Sequence, residues 1–340
     1  MLGKSGKALR LSRLVKADST PLFVLPLDHT VTDGPFTDNQ GYHALLEALA
    51  TNGADAIVVH KGRLRQIQDS VYAKLSIIVH LSASTKYAPD TNHKYQIGGV
   101  EDCLRRGADA ISIHVNVGSP TEDQQVAMLA SVADACDRLG VPLLAMLYPR
   151  GEGIKAHPRV DVLAHAASLA VDLGADIAKL PLAGPVREMR EVIRRCPIPL
   201  LVAGGSRTSD EEFKALVANA VRSGAHGIAA GRNIFMSQDP GTKVREIRKI
   251  LDANLIAPDA NMAVPATDMQ LANVSPFSDN RPAATDKLQE TQSTWSLHFP
   301  LPKQGMKDGQ LSPDDGPDQG PTRQVGARPF ICESLPGRRD

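Results

Sequence analysis

A (β/α)8 barrel is the fold this sequence predicts, and three observations predict it. Four segments share one pattern: NGADAIVVHKG at 52, RGADAISIHVNVG at 106, LGADIAKLP at 173 and SGAHGIAAGR at 223. In each, a glycine that ends a helix precedes a polar residue or turn, and a short run of β-branched or small apolar residues follows. Four further strand-like runs alternate with them: PLFVLPLD (21–28), LSIIVHL (75–81), VPLLAMLY (141–148) and IPLLVAGG (198–205). The intervals carry helical periodicity, as in GYHALLEALATN, QQVAMLASVADACDRLG, VLAHAASLAVDLG and DEEFKALVANAVRSG. Eight buried strands in strict alternation with helices, within about 240 residues, fit a closed parallel barrel. An open doubly wound sheet is the alternative, and the absence of a GxGxxG after the first run argues against it.

Taken in order, each run ends in residues that can do chemistry. Asp28 and His29 follow the first, with Thr30, Val31, Thr32 and Asp33 just beyond; His60 and Lys61 follow the second, and His80 the third. His114 and Asn116 close the fourth, Tyr148, Pro149 and Arg150 the fifth, and Lys179 the sixth. Gly204, Gly205 and Ser206 follow the seventh, and Gly231 and Arg232 the eighth. The active sites of such barrels lie where strands end, so a scattered set of polar residues becomes one ring. The last two loops, VAGGSRTSDEE and AAGRNIF, suit a phosphate: glycine lets the backbone approach an anion, and Arg232 adds charge-assisted hydrogen bonds. Turn geometry alone would also explain those glycines.

Lys179 interrupts an apolar run, Ile177, Ala178, Leu180, Leu182, that reads as buried on both faces. An ammonium there costs several kcal/mol unless paired or neutralised, so it either snorkels to the rim or serves as a nucleophilic amine. Burial favours the free amine of a lysine. Strand alternation puts Ile177 with Lys179 on one face, and Leu144, Met146 and Tyr148 on one face of the neighbouring strand. A lysine, a nearby tyrosine and a phosphate grip point to Schiff-base carbon–carbon chemistry, with Tyr148 and the Asp28 carboxylate suited to moving protons.

Composition narrows the field. Formal net charge is zero, which favours neither nucleic acid nor an anionic membrane as a partner. The four cysteines, Cys103, Cys136, Cys196 and Cys332, show no CxxC or zinc-like spacing and read as reduced thiols of a cytoplasmic protein. No run reaches the length of a signal core or a membrane span. Beyond residue 255 the pattern stops: eleven of the 24 prolines and the single tryptophan, Trp295, lie there without hydrophobic period. The expected organisation is a barrel over 1–255 and a disordered, proline-rich tail over 256–340.

The segments PLDHTVTDGP, VVHKG, IVHLS, GADAISIHVNVGS, MLYPRG, LGADIAKLP, VAGG and AGRNIF resemble class I aldolases of the archaeal type, over roughly residues 5 to 253. Within these, Met146 two residues before the tyrosine, where fructose-bisphosphate aldolases carry tryptophan, favours the aminoheptulosonate synthase branch and its bacterial relatives. The resemblance implies Lys179 as the Schiff-base lysine, Tyr148 as proton donor and Asp28 as proton acceptor. It implies substrate contacts at His29, Thr30, Val31 and Thr32, at Pro149 and Arg150, at Gly204 and Gly205, and at Gly231 and Arg232, in a homo-oligomer of barrels. The implied substrates are a phosphorylated ketone, dihydroxyacetone phosphate, and an aldehyde, L-aspartate 4-semialdehyde, joined into the C7 precursor of an aminohydroxybenzoate. The archaeal alternative uses 6-deoxy-5-ketofructose 1-phosphate as donor.

Asp33, Lys61, His114 and Arg150 are the charged candidates for the aldehyde end, and Lys61 is also a second conceivable Schiff-base lysine. Four strand-end histidines, His29, His60, His80 and His114, could in principle hold zinc. Without an HxH pair, and with Lys179 then lacking a role, the expectation is an enzyme without metal or cofactor.

Overall fold

Every strand the pattern predicts is present, and the eight close into one parallel barrel. The computed structural model describes residues 5–15, 20–151, 153–156 and 159–253. The barrel strands are β1 (Leu22–Pro26), β2 (Ala56–Val59), β3 (Ser76–His80), β4 (Ala110–Val117), β5 (Leu143–Pro149), β6 (Ile177–Leu180), β7 (Leu200–Ala203) and β8 (Gly227–Ala229). Each pairs with its sequence neighbours, and β8 pairs with β1 to close the ring. The expected tail, 256–340, lies outside the described residues.

Alternation along the strands sorts side chains into two layers. Leu22, Val24, Ala56, Val58, Ile78, Ala110, Leu144, Met146, Ile177, Leu201 and Ala229 fill the interior, with Tyr148 packed on them. Phe23, Leu25, Ile57, Val59, Ile77, Val79, Ile111 and Ile113 point outward under the helices. That is why the strands read as continuous apolar runs. Full-length helices follow β1 (Asn39–Thr51), β4 (Glu122–Arg138), β5 (Arg159–Asp172) and β7 (Asp210–Arg222). The last begins with a capping box between Ser209 and Glu212. After β2 the chain forms only a 3-10 turn (Lys61–Gln66) and one helical turn (Asp69–Tyr72) before β3 begins.

The GAD repeat has a structural meaning that spacing alone does not disclose. The Asp55 carboxylate, just before β2, accepts the backbone N–H of Phe23 on β1 at 2.8 Å, while its own N–H donates to the Phe23 carbonyl at 3.0 Å. Asp109 does the same to Ile77 on β3 (2.9 and 2.9 Å), and Asp176 to Leu143 on β5 (2.8 and 2.9 Å). The fourth repeat substitutes histidine: His226 Nδ1 accepts from Leu200 on β7 at 3.3 Å, and its N–H donates to the Leu200 carbonyl at 2.9 Å. Each even strand thus clamps the odd strand before it, at the N-terminal end of the barrel. A helix over Gly6–Leu14 belongs to that end: Leu14 joins the interior cluster, Lys7 pairs with Asp176 at 3.1 Å, and Arg13 pairs with Asp109 at 3.7 Å.

Candidate active site

At the opposite end the strands surround a cavity of about 360 Å3. Its wall brings together Asp28, His29, Thr32 and Asp33 after β1, His114 of β4, Met146, Tyr148 and Arg150 of β5, and Lys179 of β6. Gly204, Gly205 and Ser206 after β7 and Gly231 and Arg232 after β8 complete it. His29, Thr32 and Asp33 sit at i, i+3 and i+4 of the short helix His29–Asp33, so they share its cavity face.

Four of the residues expected to touch substrate do not line the cavity wall. Thr30 and Val31 lie on the other face of that helix, and Pro149 opens instead on a neighbouring hollow with Asn92 and Ile154. Lys61 is the fourth. It starts the 3-10 turn Lys61–Gln66, its side chain is 42% exposed, and its ammonium lies 3.8 Å from Asp102.

Lys179 is 6% exposed and stands in register with Met146 on β5 and Leu201 on β7. Its Nζ donates to Met146 Sδ at 3.7 Å and lies 5.9 Å from the centre of the Tyr148 ring. No described carboxylate is within ion-pair distance. A buried amine whose nearest acceptor is a thioether is open to a carbonyl carbon. The Tyr148 ring is held by His114, 4.8 Å away at 36°, and by the Arg150 guanidinium 5.0 Å from its centre. His114 in turn bonds Asn116 Oδ1 through Nε2 at 2.8 Å. Burial, with Arg150 and Lys94 nearby, holds the His114 ring well below its usual pKa, so it packs as a neutral group.

Asp28 sits among histidines. Its carboxylate is 3.5 Å from His29 Nδ1 and 3.9 Å from His80 Nε2, and its Oδ1 is buried without a hydrogen-bond partner. Burial raises its pKa, but His80, His29 and Lys179 around it outweigh that and hold it below the usual carboxylate range. His80 is fixed by Ser112 Oγ at 2.8 Å and Ser82 Oγ at 3.2 Å, and burial pushes it down to about 3. An ionised carboxylate with one oxygen unclaimed can take a proton from a bound substrate.

The glycine loops are shaped by the backbone. Gly205 has φ of +72°, and a Cβ on Gly231 would stand 2.5 Å from the Pro26 carbonyl oxygen. Asn233, which the sequence did not mark, ties them: its Nδ2 donates to Gly204 O and Ser206 O, both at 3.0 Å, and its Oδ1 accepts from Thr208 N at 3.0 Å. The Arg232 guanidinium bonds Gly205 O at 3.4 Å, and its Nε is buried without a partner. Lys94 is the second residue missed. It lines the cavity from the β3–β4 connection, where a lysine among Asn, His and Tyr carries no periodic signal.

Three of the four strand-end histidines are engaged in hydrogen bonds, while His29 Nδ1 is buried without a partner, 3.5 Å from the Asp28 carboxylate. His60 Nδ1 and Nε2 face the carbonyls of His80 and Asp28 at 3.1 Å each, while His80 and His114 are bonded as above. No group of three or more His, Cys, Asp or Glu side chains that could hold a metal ion occurs among the described residues.

A model of the DeoC/LacD family aldolases matches residues 22–237, the whole strand ring. The chain belongs to this aldolase family. The aldolase is 47% identical over 246 residues to the 2-amino-4,5-dihydroxy-6-oxo-7-(phosphonooxy)heptanoate synthase of Streptomyces griseus, covering 72% of this chain and 90% of that one. It is 40% identical over 250 residues to the 2-amino-3,7-dideoxy-D-threo-hept-6-ulosonate synthase 1 of Archaeoglobus fulgidus, covering 74% and 92%. A solved Schiff base-forming fructose-1,6-bisphosphate aldolase superposes with a TM-score of 0.66 at 25% identity, covering 72% and 98%. The aldolase is a carbon–carbon lyase of the class I, Schiff-base type. No helix among its described residues is long and apolar enough to cross a membrane.

Proposed function

We propose that this aldolase joins dihydroxyacetone phosphate to L-aspartate 4-semialdehyde, with Lys179 as the Schiff-base lysine. The observation that carries the lysine assignment is its placement: a buried amine with only a thioether partner, facing the same cavity as Tyr148 and Asp28. The substrates follow from a disconnection of the Streptomyces relative's named product. Breaking the bond between its C4 hydroxyl carbon and its C5 carbon gives a three-carbon hydroxyketone phosphate and a four-carbon amino-acid aldehyde.

In the first step the Lys179 amine adds to the ketone carbon of the donor, and loss of water leaves an iminium. Asp28 takes a proton from the neighbouring hydroxymethyl carbon, and the bonding pair moves to give an enamine. The enamine carbon attacks the aldehyde carbon, whose oxygen receives a proton from Tyr148. Water hydrolyses the new iminium, releasing the ketone product and the free amine. Gly204, Gly205, Gly231 and Arg232 suit the donor phosphate, because glycine backbone without side chains and a guanidinium line the same part of the cavity.

Borohydride reduction of enzyme mixed with each donor, read by intact mass, tests both halves. The expected result is a donor adduct with dihydroxyacetone phosphate, and a seven-carbon amino keto-acid phosphate once the semialdehyde is added. An adduct and product only with 6-deoxy-5-ketofructose 1-phosphate would instead support the activity named for the Archaeoglobus relative.

A further inference from the structure

We infer that Lys94, with Arg150, holds the carboxylate of the amino-acid aldehyde and so determines which acceptor this aldolase uses. The inference rests on the substrate reading above and adds to it a residue and a subsite.

Lys94 has no direct counter-ion among the described residues. It is 7% exposed and lines the catalytic cavity. Its ammonium donates to Thr91 O at 3.0 Å and to Ser84 Oγ at 3.3 Å, both neutral acceptors, which leaves one of three N–H groups unclaimed. No described carboxylate pairs with it. A buried cation solvated only by a hydroxyl and a carbonyl is costly, and an anion arriving in the cavity would offset that cost.

The surroundings select the anion. Arg150 also lines the cavity; burial and then the Arg150 charge lower the pKa of Lys94. The pair is carried by the β3–β4 connection and β5. The phosphate-type loops are carried by β7 and β8, so Lys179 of β6 stands between the two cationic groups in the strand order. A donor phosphate at Arg232 and an anionic group at Lys94 and Arg150 would therefore flank the reacting lysine. Asp33 shares the cavity wall and is among the carboxylates whose charge acts on Lys94. A second phosphate would meet that carboxylate as a like charge. An amino-acid end satisfies both signs, its carboxylate at Lys94 and Arg150 and its ammonium at Asp33.

The test compares Lys94→Met and Lys94→Arg with the wild type, using dihydroxyacetone phosphate as donor and either L-aspartate 4-semialdehyde or propanal as acceptor. Loss of a charge-assisted contact should raise KM for the semialdehyde about 10- to 100-fold in Lys94→Met, with much of it restored in Lys94→Arg. KM for uncharged propanal should stay within about threefold, and borohydride should still trap the donor adduct. Equal loss with both aldehydes would mean that Lys94 only braces its loop through Thr91 and Ser84, and would overturn the inference. So would an unchanged semialdehyde KM. Wild-type enzyme that traps the donor but makes no product with the semialdehyde would instead bring down the substrate reading, and the Lys94 assignment with it.

Discussion

At one end of this barrel four residues do the same thing; at the other, the strand ends differ in residue type and in partner. Asp55, Asp109, Asp176 and His226 each precede an even strand and each grip the backbone of the odd strand before it. At the mouth the corresponding strand ends carry lysine, tyrosine, aspartate and glycine, each facing a different neighbour in one cavity. Repetition marks the end that has to close a ring, where every seam poses the same problem. Variety marks the end that has to recognise an asymmetric molecule. In barrels of this class the N-terminal face serves stability and the C-terminal face serves catalysis, and here that division is written residue by residue.

The largest effect should come from the most singular residue. Lys179→Ala should abolish the borohydride-trapped donor adduct, while Lys61→Ala, whose partner Asp102 lies outside the cavity wall, should leave trapping intact. An adduct that survives in the Lys179 variant and maps to Lys61 would reverse the assignment. Next comes Tyr148→Phe, which keeps the ring between His114 and Arg150 and removes only the hydroxyl. Turnover should drop by about 10²–10⁴ with little change in donor adduct formation. A fall of less than about tenfold would pass the proton-transfer role to Asp28 or His29.

The clamps should behave in the opposite way. Asp109→Ala leaves the Ile77 N–H without its acceptor and Arg13 without its partner. Unfolding stability should fall by about 1.5–3 kcal/mol, the range for a hydrogen bond to a charged group, while kcat and both KM values stay put. A kinetic defect at 25 °C with unchanged thermal stability would contradict the division between the two ends.

The sequence made one side of this comparison easier to read than the other. Eight strands were legible because each is a short apolar run bounded by glycine and polar residues, and the GAD spacing repeats. Lys179 was legible because a charge inside an apolar strand demands an explanation. The repeat's clamp was visible as pattern but not as chemistry: that Asp109 reaches back to Ile77, 32 residues earlier, is set by barrel closure. Lys94 was hidden because it sits in an aperiodic loop, and Lys61 stands at a strand end without lining the cavity, because a strand-end position fixes the Cα and not the direction of the chain that follows. The role of the helix Gly6–Leu14 emerges only when Leu14 meets the barrel interior.

The smallest expected effect lies in the one clamp that departs from the repeat. His226 accepts the Leu200 N–H through Nδ1, so the clamp needs a ring nitrogen without a proton. The residue is exposed overall, yet burial of its ring against the β7 backbone lowers its pKa from 6.5. A histidine with a depressed folded pKa contributes its full stability above the unfolded value and loses it as pH falls towards the folded one, because the unfolded chain then binds more protons. His226→Asp restores the residue type found in the other three repeats, and its carboxylate should accept the same N–H without needing to lose a proton until pH drops below about 4. At pH 8 the two proteins should differ little. At pH 5 the variant should be the more stable by about 1 kcal/mol or less, read as a higher midpoint of urea unfolding. An equal gain at both pH values would show that the histidine clamp is indifferent to protonation, and that its ring fills space at the β7–β8 seam without accepting the Leu200 N–H.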